Sequence, residues 1–233
     1  MLKELEREML TLADKDRAKN LSWYFKTGKG QYGEGDKFLG LNVPQQRSLV
    51  KKYTLTLPEI KTLLVSPWHE HRLTALLSLV KNYNQTKITT EKREIVHFYL
   101  KNAKKINNWD LVDLSAPNIL GDYLLSNDRT VLYKLANSKN LWEKRISILA
   151  TFSFIRNKDY TDTLKIAEIL INDTHDLIHK AVGWMLREVG KKNQPVEEKF
   201  LDKYYTTMPR TMLRYSIEKF SDIKRKHYMA KDR

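Results

Sequence analysis

In "NNWDLVDLSAPNILGDYL", residues 107–124, an indole and a carboxylate stand four positions apart: Trp109 and Asp113, inside a run otherwise patterned for burial. On an α-helix, positions i and i+4 lie on one face about a turn apart, so the two side chains would act on the same thing. A carboxylate supplies counter-charge to a developing cation, and an indole face attracts one through its ring quadrupole. Chemistry at a positive centre is one reading of the pair. Structural readings stand beside it. Trp68 and Trp142 hold similar places after their helix starts, which would make Trp109 a repeat-packing residue, and an ion pair with Arg145 across neighbouring helices would satisfy Asp113.

Other chemistry-bearing patterns fail on context. Gly28-Lys29-Gly30-Gln31-Tyr32-Gly33 spells GxGxxG, but no strand precedes it and no helix opens at it, so it is neither a dinucleotide fingerprint nor a P-loop. His175 and His179 in "HDLIH" have the i, i+4 spacing of zinc ligands. Asp176 replaces the glutamate that would act as base, so these read as solvent-facing residues near a helix start. His69 and His71, flanking Glu70, are expected on a polar face. No GxSxG elbow is present, and with no cysteine there is neither thiolate catalysis nor a disulfide. Neither metal nor cofactor is expected.

The elements that must position Trp109 and Asp113 are helical. Apolar positions recur with a period near 3.6 in residues 57–65, 71–83, 93–106, 141–155, 162–171 and 177–190, and alternation is nearly absent. Thr56 before Pro58, Ser66 before Pro67, and Asn140 with Glu143 three residues on mark helix starts. Ser66-Pro67-Trp68, Asn107-Asn108-Trp109 and Asn140-Leu141-Trp142 share a cap, a spacer and a tryptophan, offset by 41 and then 33 residues. Arg72, Arg145, Lys180 and Arg214 open similar apolar runs. Such periods predict an all-α solenoid of HEAT or armadillo-like helical repeats. The expected layout is one domain over 1–233: an N-terminal helical cap with a glycine-rich loop (1–55), then the repeat stack (56–233).

The net charge is +14, from 42 Lys and Arg against 28 Asp and Glu. A basic field interleaved with aromatics attracts polyanions, nucleic acid first. No run approaches the roughly 18 apolar residues a membrane span needs, and the charged start is no signal peptide. A cytoplasmic monomer is the expectation.

"NNWDLVD", "GDYL", "LWEKRISIL" and "AVGWMLRE", in that order and with these separations, together with the upstream "YFKTGKGQYGEGDKFLGLNVPQQR", resemble the AlkD-type DNA alkylation repair glycosylases over nearly the whole chain. The resemblance implies a curved stack of HEAT-like repeats with a basic concave groove for duplex DNA. It implies that Trp109 and Trp184 are aromatic walls, Asp113 the catalytic carboxylate and Arg145 its cationic neighbour. It also implies that Arg187 and Tyr24 contact the DNA backbone. The implied reaction is hydrolysis of the N-glycosidic bond of 3-methyladenine or 7-methylguanine in double-stranded DNA, without flipping the base into a pocket. Lys180, Arg187, Lys191 and Arg214 are the cations expected to meet phosphates. A DNA-binding repeat protein without chemistry, and a protein-interaction scaffold, are the alternatives.

Overall fold

The computed structural model describes residues 1–230, and among them the regular structure is helical. A single isolated bridge between Lys37 and Trp68 is the one strand-like pairing among the described residues. No helix among them is long and apolar enough to cross a membrane. The contacts divide the chain into two compact units, 1–115 and 116–233.

The first unit opens with α1 (Leu2–Thr11), α2 (Lys15–Tyr24) and α3 (Val43–Lys52), followed by α4 (Leu57–Leu64), α5 (His69–Gln85) and α6 (Thr89–Lys101). A 3-10 turn (Ala103–Lys105) leads to α7 (Trp109–Ala116), on which the unit ends. Caps decide where these helices start. Asn42 and Thr56 each accept a hydrogen bond from the third helical amide, while the side chains of Gln45 and Glu59 accept one from the cap amide. α5 is buried along most of its length, with α3 and α4 packed on it.

Between α2 and α3 the chain runs through the glycine-rich loop, whose foot is tightly constrained. Gly40 has φ +89°, and a Cβ there would lie 2.1 Å from the Asp14 carbonyl oxygen. Only glycine meets both demands.

The second unit begins with a π-helical turn (Pro117–Gly121). It continues through α8 (Thr130–Ala136), α9 (Leu141–Ala150), α10 (Phe152–Arg156), α11 (Thr161–Leu170), α12 (Asp176–Lys192), α13 (Gln194–Tyr204), α14 (Arg210–Ser216) and α15 (Asp222–Met229). α8 packs on α9, and α11, α13 and α14 pack on α12. Gly183 lets α14 approach α12 closely, since a Cβ there would meet the Met212 carbonyl oxygen at 2.4 Å. The apolar run 141–155 is two helices, broken at Thr151, whose hydroxyl donates to the Ile148 carbonyl (2.7 Å). The basic stretch 223–233 begins as helix, within α15; residues 231–233 lie outside the described part.

The tryptophan repeat is looser than its spacing suggests. Trp68 is the N-cap of α5, Trp109 is the first residue of α7, and Trp142 is the second residue of α9. Asn140 caps α9 by accepting from the amides of Trp142 and Glu143. The Glu143 carboxylate, instead of completing a capping box, accepts from the Ser138 hydroxyl.

Candidate functional site

Trp109 is set by what surrounds the start of α7. The fully buried Asn108 accepts from the Trp109 amide through Oδ1 (2.8 Å) and donates from Nδ2 to Asp36 (3.4 Å). On the other side, Asp110 accepts from the Leu111 amide through Oδ1 (2.9 Å) and bonds His69 Nε2 through Oδ2 (2.8 Å). The half-buried indole stacks on Phe25 at 5.3 Å between centroids and 16° between planes, and Tyr24 meets it edge-on at 6.0 Å. Tyr24 and Trp109, both expected at the site, are therefore brought together.

Asp113 lies one helical turn beyond Trp109 on α7, half-buried. Its charge reaches Tyr99, a fully buried phenol bonded to Ser115 Oγ (3.0 Å). Burial pushes the Tyr99 hydroxyl well above its ordinary range; the Ser115 bond offsets part of this, and the negative charge of Asp113 adds to it.

His69 and His71 are not on a polar face, as the sequence suggested; both are buried. His69 sits between two carboxylates, with Nε2 on Asp110 and Nδ1 3.4 Å from Asp36 Oδ2, while Arg72 Nη2 pairs with Asp36 at 2.6 Å. Burial alone would lower the His69 pKa, but the charge of Asp110 and hydrogen bonds to Asp110 and Asp36 outweigh it and hold the ring up at about 9. Burial likewise opposes ionisation of Asp36, and His69 and Arg72 overcome it, keeping that carboxyl below the ordinary value. His71 goes the other way: burial, then the charge of Arg72, lower it, and its Nδ1 rests 3.1 Å from Ser66 Oγ.

Glu70, between the two histidines, accepts from the amides of Leu39 (2.9 Å), Gly40 (2.8 Å) and Leu41 (3.3 Å). The segment "HEHR" thus clamps the foot of the glycine-rich loop and, through Asp110, the start of α7. Residues 30 to 40 positions away in sequence bury it.

In the second unit, α12 carries four of the expected residues. Lys180, Trp184, Arg187 and Lys191 recur at helical spacing on one face, while Leu177, Ile178, Ala181, Val182, Met185, Leu186 and Val189 fill the buried side. Glu188, which sequence reasoning passed over, gathers this face. Its Oε1 accepts from Trp184 Nε1 (3.1 Å) and Lys191 Nζ (2.7 Å) and lies 3.6 Å from Arg187 Nη2. Arg187 also pairs with Glu218, and Lys180 with Asp176 at 2.6 Å. Phe152 leans on Trp184 at 6.0 Å, and the Arg156 guanidinium lies over the Phe152 ring at 4.2 Å. The cations of α12 thus have carboxylate partners on their own surface.

Arg145 is buried on α9 and donates from Nη1 to the Leu177 carbonyl (2.6 Å), tying α9 to the start of α12. Arg214 is exposed and lines a surface pocket with Glu218 and Arg225. His175 and His179 are half-buried and locally engaged rather than solvent-facing. His175 caps α12 by accepting from the Leu177 amide (3.1 Å), and His179 Nε2 bonds the Asp173 carbonyl. Among the described residues, no group of three or more His, Asp or Glu side chains is placed to hold a metal ion.

The fold is thus an all-α array of short helices, with Trp109 at a helix start, Tyr24 at a helix end, Arg145 buried within a helix and the residues of α12 on its outer face. The profile of the DNA alkylation repair enzyme family matches residues 5–220, and the chain belongs to that family. Among solved structures, a predicted DNA alkylation repair enzyme from Enterococcus faecalis is similar, with a TM-score of 0.72 and 17% identity, covering 90% of this chain and 97% of its own. The protein smu.31 from Streptococcus mutans UA159 is similar at a TM-score of 0.55 and 15% identity, covering 95% and 99%. At these identities the likeness is one of fold. No curated protein sequence matches.

Proposed function

We propose that this member of the alkylation repair family is a DNA glycosylase that hydrolyses the N-glycosidic bond of positively charged alkylated purines, 3-methyladenine and 7-methylguanine, in duplex DNA. The observation that carries the reading is the start of α7. It places a carboxylate, Asp113, one turn beyond an indole, Trp109, whose ring and backbone are both held from behind.

An N3- or N7-alkylated purine already bears positive charge, so it departs as a neutral base and needs no general acid. The task left to the protein is to stabilise an oxocarbenium-like deoxyribose. Asp113 supplies the counter-charge and positions the attacking water. Trp109 and Trp184 hold the sugar by cation–π and C–H···π contact. Arg145 acts as the cationic neighbour that keeps the carboxylate ionised. Tyr24, Lys180, Arg187, Lys191 and Arg214 meet phosphates. Selectivity then resides in the charge and lability of the lesion, and no deep base pocket is required.

The test is single-turnover release of 7-methylguanine from a defined duplex at enzyme excess. Asp113→Asn should lower the rate by about 10²-fold or more while duplex affinity holds, since it keeps the shape and removes the charge. Tight duplex binding without release by the unaltered protein would leave a DNA-binding repeat protein. Absence of both would favour a protein scaffold.

A further inference from the structure

We infer that His69 and Asp110, tied to Asp36 and Arg72, are positioning residues for Trp109: a buried cluster of two carboxylates and two cations that fixes the depth and tilt of the indole. The inference rests on the proposed reaction for its catalytic meaning, though not for its geometry.

Two routes connect the cluster to the ring. One is covalent: Asp110, adjacent to Trp109, is held by His69 Nε2 at 2.8 Å. The other runs through ring contacts, since Phe25 is stacked on Trp109 at 5.3 Å and lies tilted 37° against the His69 ring at 4.7 Å. Phe38 closes the stack, 4.8 Å from His69 and 5.2 Å from Phe25. Asn108 adds a third link, bonding the Trp109 amide and Asp36 at once. Displacing His69 therefore moves the indole both by its backbone and by its face.

Stability alone does not account for such a cluster. Removing four charged groups from water costs several kcal/mol each, and apolar residues of similar volume commonly do as well or better. What the ions add is direction, because each hydrogen bond fixes one atom against another. Among the described residues, the charged groups acting on His69 belong to this set: Asp36 from the loop, Arg72 from α5 and Asp110 from α7. With the imidazole protonated the set sums to zero, so the ring behind Trp109 adds no net positive charge to a face that must attract a cation. Deprotonation leaves a net negative charge and removes one hydrogen-bond donor between two acceptors.

The experiment has two arms. In the first, protein labelled with 5-fluorotryptophan is titrated in a Tyr24→Phe background, which removes the phenol edging the ring, and the Trp109 resonance is assigned by its loss in Trp109→Phe. The resonance should shift with a midpoint near pH 9 and lose that transition in His69→Gln. In the second, 7-methylguanine release by His69→Gln at pH 7 should slow about tenfold or more, with duplex Kd unchanged, as expected for a misplaced catalytic group. The double variant His69→Gln, Asp110→Asn should be no slower than the worse single variant, because the two act as one pair.

A Trp109 resonance that ignores pH between 7 and 10 overturns the inference. So does release that is unaffected in a folded His69→Gln protein. If the unaltered protein releases no base but the resonance titrates as expected, the glycosylase reading fails and the positioning of Trp109 stands.

Discussion

The two indoles that the proposed reaction needs are held in opposite ways. Trp109 and Asp113 stand four residues apart on α7, and so do Trp184 and Glu188 on α12. On α12 the carboxylate is spent on its own neighbours, taking the Trp184 N–H, Lys191 and Arg187. On α7 the indole is supported from behind, by Phe25 and by the Asp110–His69 pair. The same spacing of the same residue types thus yields a surface tether in one place, whereas in the other the support is buried and comes from neighbouring segments. Spacing puts two groups on one face; the surroundings decide what the carboxylate can do.

The sharpest way to break this contrast is Asp110→Asn. It leaves His69 and Arg72 buried with one carboxylate between them and should cost about 3–5 kcal/mol, read as a large fall in the melting temperature at pH 7. A melting temperature close to that of the unaltered protein would mean the buried cluster is no firmer than the α12 tether.

The pH dependence of stability separates the two units next. His69 is raised, so its contribution is complete below its ordinary 6.5 and is lost as pH rises through about 9. Glu197, on α13 in the second unit, is raised to about 9 as well, chiefly by burial and then by Glu198. Its folded form therefore favours the proton, and stability declines as pH climbs from about 4.5 toward 9. Thermal melts should fall as pH rises from about 4.5 to about 9. His69→Gln should flatten the upper part of the curve, and Glu197→Gln the part below pH 6.5.

Smaller effects are expected on α12. Arg187→Ala should weaken duplex binding for all sequences alike and lower the slope of log K against log salt by about one. Glu218 pairs with Arg187, so under the proposed role of Arg187 at phosphates Glu218→Gln should strengthen duplex binding at low salt. The smallest change is Glu188→Gln. With an amide still able to accept from Trp184, stability should shift by less than about 1 kcal/mol, measured by urea titration. A loss comparable to that of Asp110→Asn would erase the distinction between the two supports.

The sequence made the helices legible wherever the signal was local. Thr56 and Asn140 cap where they were expected to, and the apolar stripes of α5, α11 and α12 match their buried faces. Resemblance pointed to Tyr24 only as a DNA-backbone contact; that its ring edges Trp109 is set by the packing of α2 against α7 and has no local signal. His69 was not legible, because "HEHR" is polar in itself and is buried only by Asp36, by residues 38–41 and by Asp110, from elsewhere in the chain. A signal was available: an acid ends the glycine-rich run at Asp36, and a second stands beside Trp109, two charges in need of a counterpart. Glu188 was overlooked for a different reason. Its spacing from Trp184 repeats the Trp109 to Asp113 spacing, but spacing does not show that the carboxylate turns along its own helix to Trp184, Arg187 and Lys191.

The glycine-rich loop has a tip and a foot with different freedoms. At the tip, Gly28 and Gly30 donate to the side chains of Gln31 and Glu34, and the space around Gly30 is open. At the foot, Glu70 fastens three successive amides and Gly40 is wedged against Asp14. Length changes among relatives should therefore collect around Gly30, between residues 28 and 32, and stop short of Gly33, where a Cβ would lie 2.4 Å from the Phe25 carbonyl oxygen. The same division marks Gly30 as the place to open the chain or splice in a reporter, since new termini there interrupt nothing that reaches Trp109.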